Sequence, residues 1–202
     1  MIKKILVVLT VLFIGGFLFC YQDAYGQTTI PVIDLTQEIN IEISESPIHY
    51  TDVYVQKTNG FKSYMSYKAL TKTDSPQYLL QEICGTDADG FRRCADRYVI
   101  AVGHGVGGQV GDCVDLILQN GQVIYCVIGD YKSDKYTDKA NLTGWNGCCS
   151  EFIVDTEKLR RDIRYRGNIG IGYIGWESPV LLIRRYNINY LQFNLLGGST
   201  NE

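Results

Sequence analysis

The sequence predicts a mainly β protein, on three observations. Short apolar runs recur between glycine- or asparagine-rich breaks, at 98–102, 113–118, 123–128 and 151–154. Composition agrees: 46% of the 202 residues are hydrophobic, 21 are Gly against 4 Pro, and 15 are Tyr, an aromatic favoured in strands. Helical patterning is short wherever it occurs. A chain of this length fits one domain with appendages.

The first 26 residues have the layout of a targeting segment. Lys3 and Lys4 precede an uncharged apolar run at 5–19, shorter than the roughly 20 residues a spanning helix needs. Ala24 and Gly26 place small residues before Gln27, the pattern of a cleaved secretory signal peptide. An uncleaved membrane anchor is the alternative, and bulky Phe19 disfavours lipid modification at Cys20. Residues 27–59 follow as a polar linker with short strands, one alternating through Ile39, Ile41 and Ile43 and another at 51–55.

The main body is expected at 60–165. Phe61, Tyr64 and Tyr67 have the spacing of one helical face, or of an irregular segment lying over the core. Residues 77–84 suit a strand or a short helix. Asp87-Ala88-Asp89-Gly90 is a hairpin turn rather than a calcium loop, because Phe91, Arg92 and Arg93 fill the later ligand positions. After the strand at 98–102 comes Gly103-His104-Gly105-Val106-Gly107-Gly108. It matches a dinucleotide fingerprint in spacing, but a strand follows it, so no helix N-terminus is there to hold a pyrophosphate.

A hairpin across Asn120-Gly121 is the clearest element. A two-residue turn there pairs Cys113 with Ile128 and Asp115 with Cys126. Val114, Leu116 and Leu118 then share a core face with Val123, Tyr125 and Val127, and Asp115 is solvated. Residues 156–164 read as a short basic helix capped by Asp155 or Thr156. The tail, 166–202, carries apolar runs at 180–183 and 188–195 that read as strands.

Past the first segment six cysteines remain: Cys84, Cys94, Cys113, Cys126, Cys148 and Cys149. An even number in an exported chain is compatible with disulfides. The turn at 87–90 brings Cys84 and Cys94 together. Cys113 and Cys126 on the hairpin arms are diagonal neighbours, bridgeable only with distortion. Vicinal Cys148 and Cys149 do not readily bond to each other. With no C-x-x-C and only His49 and His104, zinc is disfavoured, and no metal or cofactor is expected. Net charge is −3 without a basic face, which excludes nucleic acid as a partner.

Polar chemistry concentrates between the strands at 123–128 and 151–154. Asp130 ends an apolar strand, where partial burial raises a carboxyl toward a useful acid. Glu151 opens the strand that could lie beside it. Lys132, Tyr131, Tyr136 and Trp145 are the candidate substrate-binding residues, while Asp134 and Asp138 read as turn residues. Asn141-Leu142-Thr143 is a formal glycosylation triplet.

The order of apolar strand, glycine turn, Val110-Gly111-Asp112, Asn120-Gly121 hairpin, Gly129-Asp130 and Glu151-Phe152-Ile153-Val154-Asp155 resembles double-psi β-barrel domains. Most similar are the domain named for three aspartates and its lytic transglycosylase relatives. Phe61-Lys62-Ser63-Tyr64-Met65, Arg97-Tyr98 and Gly129-Asp130-x-Lys132 also resemble uncharacterised exported or phage-associated proteins of Gram-positive bacteria. The resemblance implies a six-stranded double-psi β-barrel with a short helix and peripheral strands. It implies a cell-envelope location, with peptidoglycan or another cell-surface glycan as partner and the membrane met only through the N-terminal segment. Of the three family aspartates, one matches Asp130, one falls at Glu151 and one at Gly103, and Asp130-Tyr131-Lys132-Ser133 stands where the family has Asp-Thr-Gly-Gly. By resemblance, Asp130 is the acid/base of glycosidic cleavage and Glu151 its positioning partner. The alternative is a non-enzymatic barrel that binds glycan or protein on the cell surface or in a phage particle.

Overall fold

The computed structural model describes residues 48–192. The targeting segment, the linker strand at Ile39–Ile43 and the end of the tail lie outside the described residues. Nine strands are described: β1 (Tyr50–Tyr54), β2 (Ser63–Ser66), β3 (Gly85–Thr86), β4 (Arg92–Cys94), β5 (Arg97–Val102), β6 (Asp112–Leu118), β7 (Val123–Tyr131), β8 (Ser150–Val154) and β9 (Val180–Asn189). Two short helices accompany them, α1 (Pro76–Ile83) and α2 (Arg161–Arg166). No described helix is long and apolar enough to cross a membrane.

The strands form one mixed sheet in the order β1-β9-β6-β7-β5-β4-β3, with β8 beside β5 and β2 beside β8. The β5–β7 and β2–β8 pairs are parallel and the others antiparallel. The mainly β class is as expected. The closed barrel is not: the path runs open from β1 to β3. The reason lies in the tail. β9 is one ten-residue strand where two had been expected, and it takes the outer edge of β6, with β1 adding beyond it.

The sheet is buried on both faces, which is why its central strands read as nearly continuous apolar runs. Ile100, Val102, Val114, Leu116, Ile124, Cys126, Ile128, Phe152 and Val154 build one core. Val99, Cys113, Val127 and Ile153 build a second, under Leu80 of α1. Ser75 Oγ caps α1 by accepting from Tyr78 N at 3.2 Å, and Pro76 begins the helix, so 77–84 is helical rather than extended. The Cys84–Cys94 disulfide ties the end of α1 to β4, as the turn predicts. That turn is held by Asp87 Oδ1, which accepts from Asp89 N and Phe91 N at 3.1 and 2.8 Å.

Three local expectations change. The 61–70 segment is strand β2 followed by one 3-10 turn, so Tyr64 packs on the first core while Met65 and Tyr67 pack on the second. α2 starts at Arg161, later than expected. Asp155 caps the preceding turn instead, accepting from Glu157 N at 3.1 Å. The β6–β7 loop has three residues, not two: Leu118 N donates to Gln122 O at 2.9 Å and Gly121 takes a φ of +85°.

That single residue reverses the faces of β7 against β6, because side chains alternate with a period of two. Cys113 pairs with Val127 and Asp115 with Tyr125. Val123 and Tyr125, expected in the core, are 40% and 50% exposed. Asp115, expected in solvent, is buried, where it accepts from Arg97 Nη1 at 2.8 Å and Tyr186 Oη at 2.6 Å. Cys113 and Cys126 lie on opposite faces as free buried thiols and cannot bridge. Cys148 and Cys149 are also free and buried.

β7 carries one further irregularity. Ile100 pairs with Ile128 but Ala101 pairs with Asp130, so Gly129 is an extra residue, a β-bulge. A Cβ on Gly129 would lie 2.3 Å from Val99 Cγ1 and 2.8 Å from Ile153 Cδ1. Gly129→Ala is expected to destabilise the fold by ~1–3 kcal/mol through overpacking. A urea midpoint within error of the parent would show that the bulge tolerates a side chain.

Candidate functional site

The bulge aims the site. Strict alternation would send Asp130 into the first core with Ile128. The extra residue places it opposite Ala101, on the face shared with Val99 and Ile153. Glu151 of β8 pairs with Ala101 from the other side, in antiparallel register. The two expected carboxylates therefore flank one alanine on one face. Two strand spacings put their Cα atoms about 10 Å apart.

Their surroundings differ. Asp130 opens into a recess of about 420 Å³ walled by Leu70, Lys72, Pro76 and Gln77. Gln77 Nε2 donates to its Oδ1 at 3.4 Å. Burial pushes the Asp130 carboxyl above its ordinary value, and the Glu151 charge adds to that. The Tyr131 amide, Gln77 and His104 pull the other way. Glu151 instead borders a cleft of about 320 Å³ with Lys132, Tyr136, Trp145 and Asn146. Lys132 Nζ lies 3.4 Å from Glu151 Oε1 and donates to Cys148 O at 2.9 Å. The carboxylate on this cleft is thus neutralised by an almost buried ammonium.

Trp145 and Tyr136 stand out at 78% and 61% exposed. Trp145 Nε1 donates to Lys135 O at 3.2 Å, which orients the indole. The loop beneath is shaped by Asp138, whose Oδ1 accepts from Leu142 N at 2.9 Å, in keeping with a turn residue. In the glycosylation triplet, Thr143 is buried with its hydroxyl on Gln56 O at 3.3 Å, and Asn141 Oδ1 accepts from Thr137 Oγ1 at 3.0 Å. Both side chains are committed to the loop.

Tyr131 departs from its expected neighbours. It lines a third cleft, of about 550 Å³, with His104, Pro76 and Leu191. The His104 ring stacks on Tyr131 at 4.6 Å and 10°, and His104 Nδ1 is 2.8 Å from Asp134 Oδ1. Consecutive residues 130, 131 and 132 thus serve three recesses, not one. Gln77, His104 and Asn146 join the surroundings without any local signal in the sequence, since their partners are distant along the chain. The Gly129-Asp130 step at a strand end is a signal that could have pointed to the bulge. Among the described residues, no three His, Cys, Asp or Glu side chains come together to hold a metal ion.

No protein-family profile matches this chain, and no curated protein sequence is similar to it.

A carboxyl raised by folding stabilises the protein fully below its unfolded value, about 4 for Asp. That contribution is lost as pH rises through the folded value. Asp130→Asn removes the titration. The variant should therefore gain stability relative to the parent at pH 7, and the gain should shrink at pH 3. Urea midpoints at the two pH values measure it; a gain at pH 3 as large as at pH 7 would contradict the raised carboxyl.

Proposed function

We propose that this chain is an exported, cell-envelope-associated β protein that holds peptidoglycan or another cell-surface glycan in the Tyr136–Trp145 cleft. One observation carries the proposal: two strongly exposed aromatic rings border a polar cleft that also presents Asn146, Lys132 and Glu151. The apolar C–H face of a pyranose stacks on such rings, and convergent polar groups fix its hydroxyls. The ion pair between Lys132 and Glu151 suits a cleft that offers both a donor and acceptors to a neutral sugar. The N-terminal targeting pattern supports that location. The parallel β5–β7 and β2–β8 pairs support kinship with double-psi frames, here extended at the edge instead of closed.

A second proposal is acid/base cleavage of the glycan by Asp130, favoured by the burial that holds its carboxyl toward the protonated form. Asp130 would protonate the glycosidic oxygen and then act as base, with Glu151 as a positioning group. No metal or cofactor takes part. Against it, Asp130 and Glu151 open into different recesses.

Purified protein should co-sediment with insoluble cell-wall sacculi, and Trp145→Ala should weaken that binding about tenfold, ~1.4 kcal/mol. Protein left in the supernatant would sink the binding proposal. Release of anhydro-muropeptides, lost in Asp130→Asn, is the outcome expected of cleavage. Intact sacculi at high protein concentration would leave binding alone.

A further inference from the structure

We infer that the 550 Å³ cleft beside Tyr131 is a second, separate site, which takes a sugar-sized ring bearing one anionic group, with Arg185, which lies behind the Gly107–Gly108 rim and is not itself a lining residue, as the anion-binding residue. Its volume lies within the range of small-molecule sites. One wall is the stacked Tyr131–His104 pair, and Pro76 and Leu191 add apolar surface. Gly107 and Gly108 form the rim with φ of +70° and +83°.

Arg185 lies against that rim. A Cβ on Gly107 would meet only Arg185 Nη2, at 3.8 Å, so the absence of a side chain leaves space over the guanidinium. A guanidinium carries five donors. Among the described residues, Arg185 has one charged partner, Asp112 Oδ2 at 3.7 Å, too far for a hydrogen bond. Its Nε is buried with no partner. The adjacent Arg184 is the contrast, with Asp52 gripped through two bonds of 2.7 and 2.8 Å. Asp112 already accepts from Gln109 N at 3.0 Å and from Asn189 Nδ2 at 2.8 Å. Its carboxylate is therefore engaged by neutral donors, and the hydrogen-bonding capacity of Arg185 is unspent. The Tyr131 hydroxyl is also buried without a partner. The charges of Asp112 and Arg185 act on it, so it lies in the same neighbourhood.

An unspent guanidinium edge beside an aromatic wall selects a carboxylate or phosphate on a ring that can stack. The site does not depend on the Tyr136–Trp145 cleft, with which it shares no lining residue.

The test is titration of the full chain with glucuronic acid, glucose 6-phosphate and glucose, followed by calorimetry and by the His104 ring resonances. At least one acid should bind about tenfold or more tighter than glucose, the worth of a charge-assisted hydrogen bond, and should shift the His104 signals. Preference for glucuronic acid assigns a carboxylate ligand, and preference for the sugar phosphate assigns a phosphate. Arg185→Gln should abolish the acid preference, and Trp145→Ala should leave it intact while weakening attachment to sacculi. The parent protein's His104 signals decide the matter even if Arg185→Gln fails to fold. Unmoved His104 signals, equal binding of glucose, or loss of acid binding in Trp145→Ala would overturn the assignment.

Discussion

One extra residue in β7 organises the end of this molecule where the candidate site lies. Gly129 fits between Val99 and Ile153 only because it has no side chain. The bulge it forms turns Asp130 away from the first core, to the face where Glu151 also lies. An unbroken strand would have buried Asp130 with Ile128, at a desolvation cost no partner there offsets. The bulge thus resolves a conflict between an apolar strand and a charged residue at its end. It also leaves Asp130, Tyr131 and Lys132 fanned into three recesses.

The frame that holds the bulge is cross-linked by a few buried charges. Arg97 on β5 donates to Asp115 on β6 and to the carbonyls of Val114 and Cys126, so it clasps three strands at once. Lys62 does the same for the long connection before β9. Its buried ammonium donates to the carbonyls of Trp176, Ser178 and Gly60, and burial lowers its pKa. Arg92 lies under α1, bonded to Gln81 and to the Cys84 carbonyl. Each of these cations is satisfied by two or more backbone carbonyls. Such groups specify where a segment sits, and leaving one unpaired would be costly. Arg185 is the exception: among the described residues its charged partner is Asp112 Oδ2 at 3.7 Å, and its buried Nε has no partner.

The two carboxylates suggested by the sequence have been given different environments. Glu151 is neutralised by Lys132, and so it contributes polarity without net charge to a cleft of exposed aromatics. Asp130 has no ion-pair partner beside it, and burial raises its carboxyl against the pull of the Tyr131 amide and Gln77. Divergent environments are how acid and base roles are usually separated. Here they also separate the residues in space, which is why binding is the stronger proposal and cleavage the second.

The sequence by itself determined the class of fold, the principal strands, the 87–90 turn with its disulfide, and the polar stretch that carries the candidate site. These follow from local chemistry: alternation, turn residues and closeness along the chain. Only the tertiary structure decided the rest. The β6–β7 turn differs from expectation by one residue, and that difference turned Tyr125 away from the first core, while Asp115 is buried because Arg97 and Tyr186 cover its face. Turn length depends on how the flanking strands pack, which Asn120-Gly121 alone does not specify. The open sheet arose because β9 found the edge of β6, a contact across more than sixty residues of chain. The contacts of Gln77 with Asp130, His104 with Tyr131 and Gly107 with Arg185 are equally non-local. Neighbours of that kind are set by packing and register, so no motif announces them.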